Sequence, residues 1–84
     1  MAKYYYTYGT DGEYPFIGGW TEVEAVSRQA ANRLFRMVHP DKTPGILNCA
    51  FVYTEEQFKQ TSMYMCGNFD RFCVERLSLN REVL

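Results

Sequence analysis

The chain has 84 residues, 46% of them hydrophobic and 17% aromatic, with nine basic and ten acidic side chains. That length holds one small core rather than two, and the apolar content excludes a disordered chain. A net charge of −1 excludes a global pull toward nucleic acid or membrane, so any charge-driven binding must come from local clustering.

Lys3 to Tyr8, "KYYYTY", is rich in Tyr and Thr and predicts a first strand. Residues 9 to 19 carry four Gly, one Pro and an Asp-Gly step, which predicts a loop longer than a two-residue hairpin turn. "WTEVEAV" follows. Its alternation puts Thr21, Val23 and Ala25 on one face and Trp20, Glu22 and Glu24 on the other, as in a half-buried strand.

Ser27 is a natural N-cap. At about 100° per residue, Ala30, Ala31, Leu34, Met37 and Val38 gather on one side of the next segment. Arg28, Gln29, Asn32, Arg33 and Arg36 gather opposite, with Phe35 at the border. The spacing predicts an amphipathic helix of about three turns, ended by Pro40 through the restriction it places on His39.

"ILNCAFVY", residues 46 to 53, is a nearly unbroken run of β-preferring residues and predicts a central strand covered on both faces. Thr54 and Gln57 have the spacing of a capping box, so "EEQFKQTSMY" predicts a short second helix. "CGNFDR" predicts a turn, "FCVERLSL" a last strand, and residues 79 to 84 a loose tail. The fold class is α+β. One domain over residues 1–84 carries a small, mostly antiparallel sheet in the order β-β-α-β-α-β, with one main amphipathic helix packed on a face.

Three cysteines, Cys49, Cys66 and Cys73, are an odd set without a CxxC pair, so no disulfide framework is expected. "MAKYYYTYGT" lacks the apolar run of a signal peptide, and no stretch reaches the roughly 20 apolar residues of a membrane span. The expectation is a reduced cytoplasmic protein with no membrane partner.

The tetrapeptide His39-Pro40-Asp41-Lys42 is found between the second and third helices of J-domain co-chaperones. The segment before it suits such a helix. Upstream, however, strand periodicity and loop glycines stand where a helix is required, and downstream "ILNCAFVY" stands where the third helix would begin. A helix stop explains the motif better: Pro40 terminates, His39 bonds the last carbonyls, and Asp41 and Thr43 make turn contacts. Protonated, a His at this end is also favoured by the helix dipole.

The other candidate sites are sparse. A single His excludes His-pair chemistry. A Cys₃His zinc site from the three cysteines and His39 lacks the close ligand spacing of a zinc knuckle. A Cys49–His39 nucleophile pair has no identifiable orienting acid, and no phosphate-loop fingerprint occurs. A non-enzymatic protein without cofactor is therefore expected. The polar helix face is richer. Arg28, Arg33 and Arg36, with Asn32 between them and Lys42 and His39 beyond, place four positive charges within about 20 Å. Arg forks suit phosphate or carboxylate, and Trp20 could stack on a base. The plain alternative is a solvated face paired with Glu13, Glu22 or Glu24.

"YYYTYGTDGEYPFIGGWTEVEA" together with "HPDKTPGILNCAFVYTEEQF" resembles a set of short proteins from phages and mobile elements of gut Firmicutes. The shared pattern is a Tyr-rich first strand ending in Gly, a loop closing on Gly-Gly-Trp, a strand like "VEVEA", an Ala-rich helix, and "PGILNCAF-Y-TEE-F". It spans residues 3 to 58. The resemblance implies an accessory protein that inhibits a host defence system, either by blocking a host protein or by sequestering a nucleotide second messenger. Direct nucleic-acid binding is not expected. A blocker would use Tyr14, Phe16 and Trp20 as anchors. A sequestering protein would use Arg28, Arg33 and Arg36 at a subunit boundary, and the Tyr-rich strand and aromatic loop predict a homo-oligomer. A small cysteine-dependent enzyme and a J-domain-like co-chaperone are the alternatives.

Overall fold

A computed structural model describes residues 1–9, 14–15, 18–65 and 73–78. The elements run β1 (Ala2–Thr7), β2 (Trp20–Ala25), α1 (Arg28–Val38), β3 (Phe51–Thr54), α2 (Glu55–Phe58), α3 (Ser62–Met65) and β4 (Cys73–Ser78). The four strands form one sheet in the order β3-β1-β2-β4. β1 pairs antiparallel with β2 and with β3, whereas β2 and β4 are parallel. The expected α+β class with a mostly antiparallel sheet is what the chain adopts. The predicted loop tip at residues 10–13, the turn after Met65 and the tail at 79–84 lie outside the described residues.

The Tyr run is the centre of the molecule because alternation sends its rings to both faces. Tyr6 stacks on Phe35 of α1 with centroids 4.3 Å apart and planes 7° from parallel. Tyr5, on the opposite face, stacks on Phe58 of α2 at 4.3 Å and 9°. Each hydroxyl has a partner: Tyr6 donates to Asn32 Oδ1 at 2.6 Å, Tyr5 to Glu22 Oε1 at 3.2 Å, and Tyr8 to Thr21 Oγ1 at 2.5 Å, whose own proton goes to Glu75. Burial without such partners would cost each hydroxyl about 1–3 kcal/mol. Burial also raises the Tyr6 and Tyr8 phenols far above their ordinary value. Tyr5, Tyr6 and Tyr8 of the Tyr-rich stretch are thus interior to the protein.

α1 begins where the sequence places it. Ser27 is extended at φ −156°, ψ 166° and its side chain accepts from the Ala30 N–H, a cap contributing about 1 kcal/mol. The buried arc is Ala30, Ala31, Leu34 and Phe35. Phe35, expected at the border, is fully buried and contributes about 1.5–3 kcal/mol by that burial. Met37 and Val38, expected inside, are 68% and 43% exposed. Met37 lies about 90° round the helix from the centre of the buried arc, and Val38 is in the last turn.

Three other expectations are corrected. β2 is not half-buried, because Phe58 covers its second face: Trp20 is fully buried in a cluster with Tyr5 and Phe58. "ILNCAFVY" is not a central strand. Only its last residues join the sheet, as the edge strand β3, with Ile46 and Phe51 exposed. Gly45, at φ 85°, turns the chain. Asn48 spends its amide on the Pro40 carbonyl at 3.5 Å, so the chain reaches β1 only at Ala50, whose N–H donates to the Thr7 carbonyl at 2.7 Å. The second helix is two separate turns. Thr54 and Gln57 make the expected capping box, but the Thr61 hydroxyl donates back to the Phe58 carbonyl at 2.7 Å and interrupts the ladder.

The β3 edge is already guarded. Its Val52 carbonyl accepts from the Arg28 guanidinium at 3.4 Å, and its Thr54 N–H donates to Gln57 Oε1 at 3.0 Å. Those two bonds occupy groups through which a second strand would pair.

Candidate functional site

Two places collect the residues that sequence reasoning singled out. The first is the outer face of α1. Gln29, Asn32, Arg33, Arg36 and Met37 line an open groove of about 520 Å³, a stripe generated by i, i+3, i+4, i+7 spacing on one helix. Arg33 and Met37 are exposed. Arg36 is held: its Nε donates to both Asp41 carboxylate oxygens at 3.0 and 3.1 Å, and its guanidinium reaches the Gly45 carbonyl at 3.5 Å. Asp41 Oδ2 in turn accepts from the Gly45 N–H at 3.2 Å. This clamp, with Pro40, answers the question posed by His-Pro-Asp-Lys. The motif closes the turn after α1, and the sheet leaves no place for the all-helical architecture of a J-domain.

The seven expected ligand residues do not converge. Arg28 is tied to the β3 edge, and Asn32 accepts from Tyr6 beneath the helix. Trp20 is on the far face of the sheet, fully buried, where it can neither stack on a base nor anchor a partner. Lys42 lies beyond the clamp, against a separate small cleft. Only Asn32, Arg33 and Arg36 share the groove. The acidic partners differ too: Arg36 uses Asp41, while Glu22 faces the other side and pairs with Arg76 at 3.7 Å. Tyr14, expected to be an exposed anchor, is half-buried against the core. Phe16 and Glu13 lie outside the described residues.

The second place is a polar network inside the sheet-helix layer, which the sequence did not reveal. His39 enters it through its ring as well as its backbone. Its backbone N–H donates to the Phe35 carbonyl at 2.8 Å, while Nε2 makes a short contact with Glu75 Oε1 of β4. The same carboxylate oxygen accepts from Thr21 Oγ1 at 2.9 Å, and Thr21 bonds Tyr8. One carboxylate thus ties α1, β2, β1 and β4 together. The signal that could have found it is Glu75 standing two residues before Leu77 on an alternating strand, the pattern of an inward-facing acid.

Among the described residues, no group of three His, Cys, Asp or Glu side chains is placed to hold a metal ion. Cys49 is buried as a free thiol, and burial pushes it up to about 11. A nucleophilic cysteine needs the opposite displacement. No helix among the described residues is long and apolar enough to cross a membrane. Comparison with known proteins returned no match to a family model, a curated sequence or a solved structure.

Proposed function

We propose that this chain is a non-enzymatic binding protein that docks on another protein through the outer face of α1. The observation that carries this reading is Met37, 68% exposed, in the same groove as Arg33 and Arg36. Met and Arg are the residue types enriched at interface centres. Asp41 has already ordered the Arg36 fork, which lowers the entropy lost on binding. α1 carries no acidic residue, so the partner it suits has an acidic rim around an apolar recess for the thioether.

The groove favours a macromolecule over a nucleotide. Its volume is within the range of small-molecule sites, roughly 300–1,000 Å³, but every wall comes from a single helix. Such a surface cannot enclose the 70–90% of a ligand that those sites bury. Arg28 and Asn32, two of the groups a phosphate site would need, are occupied within the fold. The resemblance to phage and mobile-element proteins supplies the biological side of the proposal. The partner is a host defence protein, and binding inhibits it.

A photoreactive amino acid at position 37 tests this directly, with position 59 as control, since Lys59 follows α2 on the other face of the sheet. The position-37 probe is expected to capture a defence protein that the position-59 probe does not. The purified complex should weaken at least about tenfold when Arg33→Glu and Met37→Asp are combined. Equal capture from both positions, or a complex indifferent to the double substitution, overturns the proposal.

A further inference from the structure

The outer face of α1 is built from two rows of side chains, each following the four-residue repeat of the helix. Gln29, Arg33 and Met37 form one row, all three exposed. Asn32 and Arg36 form the other, both half-buried, and the open groove runs between the two. Successive members of a row stand about 6 Å apart along the axis, from the 1.5 Å rise of the helix. Charge is uneven along this face. Asp41 supplies the counter-charge of Arg36 at 3.0 Å, whereas Arg33 makes no ion pair with any described residue. α1 itself carries no acid.

Resting on the docking surface proposed above, we infer the form of the partner. It presents an acidic amphipathic helix that crosses α1 at about −50°, with one carboxylate set against Arg33. Backbone chemistry selects a helix. The groove is walled by side chains of a single helix, whose inner N–H and C=O groups are already bonded to one another. An extended segment laid there would leave its own peptide groups without partners as water is displaced. A helix satisfies them internally and brings only side chains. Packing fixes the direction, because a row of the partner entering between these two rows gives the commonest helix crossing. Electrostatics places the acid. Arg36 already has its carboxylate, so a partner acid is drawn to Arg33. The next residue of the partner's row, also about 6 Å on, lies beside the Met37 thioether and is apolar. A second copy of this chain is a poor occupant, since it would set Arg33 and Arg36 against the same two cations.

Photoreactive residues placed singly at positions 29 and 37 test this by the sites they label in the protein that position 37 captures. The two positions are about 12 Å apart along α1, from the same helical rise. On a helical partner that distance separates the two labels by about eight residues on one face, and on an extended segment by about four. Labels about eight residues apart are expected. Arg33→Glu should weaken the complex at least about tenfold, and changing the partner carboxylate nearest the labels to Arg should restore it to within about threefold. Labels about four residues apart, or irregular ones, overturn the helical partner and leave the docking surface standing. Labels in a second copy of this chain overturn it as well. A complex that charge exchange does not restore overturns the placement of the acid. Labelling no stronger than from position 59 removes the docking surface itself, and this inference with it. The spacing of labels is read on a chain with one exposed side chain changed, so it decides the matter even where Arg33→Glu disturbs α1.

Discussion

Replacing Trp20 with Ala separates a core role from a binding role. Trp20 is fully buried, its ring 5.1 Å from Phe58 at 63°, and Phe58 in turn stacks on Tyr5. Among the described residues these three, with Tyr53 at their margin, form the cluster that holds α2 on the sheet. Truncation removes the largest of them and leaves a cavity that a four-residue helix has little freedom to close. Trp→Ala changes in cores cost about 3–5 kcal/mol, and a chain of this size has a total stability of roughly 4–13 kcal/mol. Each kcal/mol lowers Tm by about 4–8 °C in a domain of this length, so a fall of at least about 12 °C is expected. The assay is urea and thermal unfolding followed by circular dichroism, because Trp20 is the sole tryptophan and its fluorescence disappears with the substitution. In the parent protein the same fluorescence should resist quenching by iodide. A loss below about 1 kcal/mol together with ready quenching would refute the packing described and restore Trp20 as a surface anchor.

A double-mutant cycle over His39 and Glu75, read in urea unfolding, should return a coupling of about 0.5–3 kcal/mol, since the carboxylate also serves Thr21; additive single effects would contradict the network. Stability should fall at alkaline pH. The folded state holds the Cys49 thiol at about 11 against an ordinary 9.0, and it raises the Tyr6 and Tyr8 phenols from 10.0. Protonated groups are therefore favoured in the fold. Their contribution is complete below pH 9 and is lost as pH rises through 9 to 11 for the thiol, about 2–3 kcal/mol from that group alone. Unfolding midpoints measured across that interval check this, and Cys49→Ala should flatten the first part of the decline. A profile that is flat or rising there would show that the thiol is not buried as described.

The sequence was most legible where signals are local. Ser27, the 3.6-residue spacing behind it and the Thr54–Gln57 box each act within one turn, and each has the predicted structure. It was least legible where a second layer intervenes. Period-2 alternation correctly separated Thr21, Val23 and Ala25 from Trp20, Glu22 and Glu24, yet it could not say that Phe58, 38 positions later, would close over the second set. The apolar run at 46–53 misled for a related reason. Hydrophobicity there serves to cover the core from a turn, and the polar Asn48 inside it was the sign that the backbone is not yet extended. Of the candidate site, the helix stripe was readable and its occupancy was not. Arg28, Arg33 and Arg36 look equivalent by spacing, but one guards an edge, one is exposed, and one is clamped by Asp41.

The parallel pairing of β4 sets the order in which the chain can be made safe. β1 and β2 meet through a local connection, and β3 reaches β1 across α1, whereas the bond from Thr21 to Glu75 spans 54 positions and that from His39 to Glu75 spans 36. Closing loops of that length comes before any contact rewards it, so strand β4 is the slow arrival. During synthesis at about 5–20 residues per second, the outer edge of β2 emerges seconds ahead of its cover. For that interval β2 is an uncapped strand carrying Trp20 and Val23, open to exchange with a neighbouring nascent chain. A substitution in β4 that leaves the finished protein's stability nearly intact would then still lower its yield in the cell.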